Sequence, residues 1–63
     1  MSQHEVQEAC IASGYRFAIF RQEPESEPRI VAAYRRLEEA REEFGYVRET
    51  HWTEGARFVI QEL

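Results

Sequence analysis

Residues 29–44, RIVAAYRRLEEAREEF, decide how the rest of the chain is read. Ile30, Ala33, Tyr34, Leu37, Ala40 and Phe44 recur at i, i+3, i+4 and i+7 and mark one apolar stripe of a helix. Arg35, Glu38, Glu39, Glu42 and Glu43 fall on the opposite side, and Arg35 can pair with Glu39 at i+4 for about 0.2–0.5 kcal/mol. Just upstream, EPESEP (23–28) holds two prolines and three carboxylates. Ser26 is a good N-cap there, and Pro28 falls in a first turn, where a missing N–H costs little. Gly45 closes the stripe, with Tyr46 as the hydrophobic partner of the last turn. The spacing predicts a long amphipathic helix over residues 27–44.

Towards the N-terminus, YRFAIFRQ (15–22) is aromatic and β-rich, with apolar residues on both faces, and reads as a strand. Before it, Ser2-Gln3-His4-Glu5 is a capping box, in which Ser2 and Glu5 satisfy each other's orphan backbone donors. Val6, Ala9, Cys10 and Ser13 follow at helical spacing, and Gly14 takes the left-handed position past the end. A short helix over residues 3–13 is expected. At that length it is marginal in water and must dock on something.

Towards the C-terminus, residues 46–52 and 56–62 read as two strands of a hairpin turning at Thr53-Glu54-Gly55. A two-residue Glu-Gly turn would force Glu54 to positive φ, which disfavours it. A three-residue turn gives Gly55 the left-handed bulge position and pairs Trp52 with Ala56, Thr50 with Phe58 and Arg48 with Ile60. That register turns Tyr46, Trp52, Phe58 and Ile60 towards the long helix, joined by Phe17 and Ile19 and with Tyr34 in the core. Val47, Glu49, His51, Arg57, Val59, Arg16, Ala18 and Phe20 take the other face. The expected fold is α+β: one small domain, residues 1–63, with a short N-terminal helix and then β-α-β-β. The long helix packs on a three-stranded antiparallel sheet whose first and third strands are adjacent.

Sixty-three residues with eight Arg, twelve Glu and no Lys or Asp carry a net charge of −4. The length excludes barrels, paired Rossmann units and hydrolase sheets. A composition 43% hydrophobic and 13% aromatic is globular. Apolar runs such as Phe17–Phe20 are far too short to span a membrane, and no signal-peptide pattern opens the chain. One cysteine, Cys10, makes no internal disulfide, and a lone thiol fits a reducing cytoplasm. His4, His51, Cys10 and the glutamates form no metal-ligand spacing, and no phosphate-binding glycine motif occurs, so no cofactor or metal is expected. Cys10 on an apolar helix stripe reads as an inert thiol with no oriented histidine beside it. No catalytic residue is assigned.

Association is then the expected way for so short a chain to complete its stability. Glu23, Glu25, Glu27, Glu38, Glu39, Glu42 and Glu43 gather seven of the twelve carboxylates into one third of the sequence. On one edge they would present a negative surface to a basic site on another protein. The expected function is therefore a protein-binding module, a small acidic inhibitor or regulator of a larger assembly. Small size, an acidic helix and no catalytic set look like many phage-encoded anti-defence proteins, anti-CRISPRs among them; the likeness is one of size and character. The alternative is a homodimeric subunit joined through a sheet face bearing Phe20, Val59, Ala18, Arg16 and Arg57. A third reading uses Arg16, Arg57 and Phe20 of that face to bind single-stranded nucleic acid, against which a pI of 5.1 argues.

Overall fold

The computed structural model describes residues 2–63 and has two helices and a three-stranded antiparallel sheet. In chain order these are α1 (Gln3–Ala12), β1 (Phe17–Gln22), β2 (Arg29–Tyr34), α2 (Leu37–Thr50) and β3 (Arg57–Glu62). The sheet order is β2-β1-β3, so β1 is central and both neighbours run antiparallel to it. The segment from β2 through α2 to β3 therefore joins two parallel outer strands across the sheet.

α1 begins with both halves of the capping box: Glu5 N–H donates to Ser2 Oγ at 3.2 Å, and Ser2 N–H to Glu5 Oε2 at 3.3 Å. It ends in a Schellman motif. Tyr15 N–H donates to Cys10 O and Gly14 N–H to Ile11 O, with Gly14 at φ +92°.

Two expected elements are corrected. Residues 29–34 form β2 rather than the first turns of a helix, and the long helix covers Leu37–Thr50 rather than 27–44. The helical stripe Ile30, Ala33, Tyr34 lies within an unbroken apolar run, Ile30–Tyr34, and so short a run is as compatible with a buried strand as with a helix. β-branched Ile30 and Val31 favour the strand, and the Pro-containing segment 23–28 becomes the turn of the β1–β2 hairpin. The strand expected at 46–52 does not exist: Gly45 lies inside α2, and the apolar stripe continues through Val47. Phe58 consequently pairs with Arg21 and Ile60 with Ile19, not with Thr50 and Arg48. Gly55 does take positive φ, +81°, in the turn that leads from α2 into β3.

The pairing assigns the faces. Phe17, Ile19 and Arg21 share one face with Phe58, Ile60 and Tyr34. α2 lies on this face: Arg21 Nη1 donates to the His51 carbonyl at its C-terminal end, and Glu39 and Glu43 lie near Tyr34 at its N-terminal end. Ala18 and Phe20 point the other way, yet both are buried, at 0% and 7% exposure. The element left to cover them is α1, which packs against β2. Among the described residues, Ile19, beneath α2, is the one large side chain wholly removed from solvent.

Candidate functional site

α2 has three distinct long sides. Leu37, Ala40, Phe44 and Val47 face the sheet. Arg41 and Arg48, seven residues apart, share the flank towards β3, where Arg41 and Phe44 line a groove with Phe58, Val59 and Ile60. The Arg48 guanidinium sits 5.8 Å from the Phe44 ring centroid. The remaining side carries Glu39, Glu42, Glu43, Tyr46 and Glu49 at i, i+3, i+4, i+7 and i+10, all exposed, with Glu38 beside them. Within α2 the balance is two arginines against five glutamates, 2 − 5 = −3, and both arginines lie off this strip.

Glu38 and Glu39 stand in the first turn of α2, where the helix dipole favours carboxylates for purely local reasons. Tyr46 has no such reason. It is 68% exposed, flanked by Glu42 and Glu43 one turn before and Glu49 one turn after. Trp52, just past the helix, is 60% exposed. Both aromatics were expected in the core, Tyr46 and Trp52 as strand residues facing a helix; extension of α2 through Thr50 turns Tyr46 outward and leaves Trp52 in a connecting segment. Glu49 and Tyr46 are the surface residues that sequence reasoning missed. Continuing the helical wheel past Gly45 would have found them.

The seven glutamates singled out from sequence are not one cluster. Glu23, Glu25 and Glu27 lie in the β1–β2 turn, at the C-terminal end of α2: Thr53 Oγ1 donates to Glu23 Oε2 at 3.4 Å, and Pro24 lies against Gly55. Glu38, Glu39, Glu42 and Glu43 occupy the other half of the helix. Glu23 is also engaged by Arg21, whose Nε lies 3.3 Å from Glu23 Oε1, an ion-pair distance without hydrogen-bond alignment. Arg21, half-buried under α2, thus ties β1 to the helix C-terminus and to the hairpin turn.

The second candidate surface is also divided. Ala18, Phe20, Arg57 and Val59 share the sheet face opposite α2, and Arg16 is exposed beside it. Ala18 and Phe20 are already buried, so what remains open is Val59, 37% exposed, between Arg57 and Gln61. A covered Phe20 offers no ring for a base to stack on.

Among the described residues no three His, Cys or Glu side chains gather where they could hold a metal ion, and no helix is long and apolar enough to cross a membrane. Cys10 is half-buried on α1, and the His4–Glu8 pair at 3.0 Å is a solvent-exposed i,i+4 contact. No protein-family model, curated protein or solved structure matches this chain.

Proposed function

We propose that this chain is a non-enzymatic, cytoplasmic protein-binding module, a small acidic inhibitor or regulator that docks the outward side of α2 on a basic surface of another protein. The observation that carries this reading is Tyr46, a large ring left in water at the centre of a carboxylate strip. Exposed tyrosines framed by charge are efficient interface anchors, because a rigid amphipathic ring buries much area at small entropic cost. Glu39, Glu42, Glu43 and Glu49 around it would set orientation and speed encounter with a cationic partner, with a rate that falls as salt is added. Glu23, Glu25 and Glu27 form a separate acidic patch at the far end of the helix and serve as a second, weaker contact.

The test compares capture of proteins from a nuclease-treated lysate by three baits: the unaltered chain, Tyr46→Ala, and Arg57→Glu on the opposite face. A protein retained by the unaltered chain and by Arg57→Glu, released by salt, and lost at least about tenfold with Tyr46→Ala supports the reading. Equal retention by all three baits contradicts it.

A further inference from the structure

The two outer strands of the sheet end differently, and the difference identifies a second interaction surface. On the β2 side the edge is blunted. A bulge interrupts the β1–β2 register between Ile19 and Phe20, α1 packs alongside, and the outward N–H of Ile30 donates to Gln3 Oε1 at 2.8 Å. These are devices by which natural sheets prevent edge pairing. β3 has none of them. Its six residues keep unbroken register with β1, it contains neither proline nor lysine, and among the described residues no element lies beyond it.

The orientation of the β3 backbone follows from its ladder. Leu63 N–H donates to Arg16 O at 2.8 Å, so Arg57, Val59 and Gln61 also direct their amides towards β1. Phe58, Ile60 and Glu62 then direct theirs outward, where no hydrogen-bond partner among the described residues meets them. Above this edge lies the open groove of about 420 Å³ between α2 and β3, with an apolar lining from Phe44, Phe58 and Ile60.

We propose that this edge pairs antiparallel with the same edge of a second copy of the chain, about a two-fold axis at Ile60, merging two three-stranded sheets into one of six strands. The register is self-complementary. It sets Ile60 against Ile60 and Phe58 against Glu62 of the second copy, and these are the residues whose amides and carbonyls are free. The charges complement as well. α2 runs with its C-terminal end over Phe58, so Arg48 stands at the position that Glu62 of the second copy approaches, on the α2 face of both sheets. The two-fold repeats that contact. The chain's own surface is consistent with an unfinished core. Its 4761 Å² exceeds the about 4,250 Å² typical of a 7.5 kDa monomer. The surface is independent of the outer side of α2, and the dimer would display two such sides in the same direction.

The test is solution mass together with residue-resolved amide exchange on the unaltered chain. The expected result is a mass that rises from 7.5 kDa towards twice that value with concentration. Exchange at Phe58, Ile60 and Glu62 slows at least about tenfold in parallel, while Val59 and Gln61 are protected throughout. Glu62→Arg and Arg48→Glu each return the chain to monomer, and the two together restore the dimer. A chain that stays monomeric up to about 500 µM overturns the proposal, since even a weak contact of this size assembles there. So does a dimer in which the three outward amides exchange equally at every concentration, because its contact then lies elsewhere.

Discussion

Tyr34 ends β2 beneath the first turns of α2, and its environment resists ionisation. Burial first, then the nearby Glu43 and Glu39 carboxylates, raise the phenol above its ordinary value of about 10. Below that value folded and unfolded chains both hold the proton. As pH climbs through it the unfolded phenol ionises while the folded one does not, so stability falls with rising pH. Tyr34→Phe should remove this part of the alkaline decline: between about pH 8 and 11 its urea midpoint falls less than that of the unaltered chain. Equal declines would show that the phenol contributes nothing. At this scale the sequence was most readable. Ser2 and Glu5 make the capping box that S-x-x-E implies, and Gly14 takes the left-handed cap, because both motifs depend on neighbours within a few residues. Arg21 was invisible as a tie between β1 and His51, thirty residues away, because nothing local reveals that contact.

The elements show where local reading stops. α1, β1 and β3 are close to the segments read from sequence, whereas residues 27–52 were divided wrongly. Gly45 caused one error. A glycine after an apolar run ordinarily closes a helix, but here burial of Val47 against the sheet outweighs the about 1 kcal/mol that glycine costs in a helix interior. A Cβ at Gly45 would meet nothing within 4 Å, and its φ is not positive. Gly45→Ala should therefore stabilise the fold by about 0.5–1 kcal/mol and raise the melting temperature by about 3–6 °C, read by circular dichroism. An unchanged or lowered melting temperature would mean that this stretch of α2 is strained. The other error lies in Ile30–Tyr34, where a strand and a helix share the same apolar residues and only pairing with β1 decides between them.

For the whole molecule, the α+β character, the antiparallel three-stranded sheet and the adjacency of its first and last strands were legible, but the crossover was not, since it was expected to join the wrong pair of elements. The candidate site suffered most. Placing Tyr46 and Trp52 in a strand hid the two exposed aromatics, and adjacency in sequence made the glutamates of the hairpin turn and of α2 look like one surface. The final arrangement also imposes an order in time. The central strand β1 meets β2 across a short turn, but its partners in β3 stand 35 to 45 residues further along the chain, from the Gln22–Arg57 pair to the Phe17–Glu62 pair. Local closure is fast and distant closure slow. During assembly the hairpin forms with one flank of β1 still open, and that flank is closed only when α2 has folded and carried β3 across. Until then Ala18, Phe20 and Gln22 hold the vacancy that β3 will fill, so any chain with a loose β3 is a competitor for it, and crowding during synthesis favours exchange of that strand between neighbours.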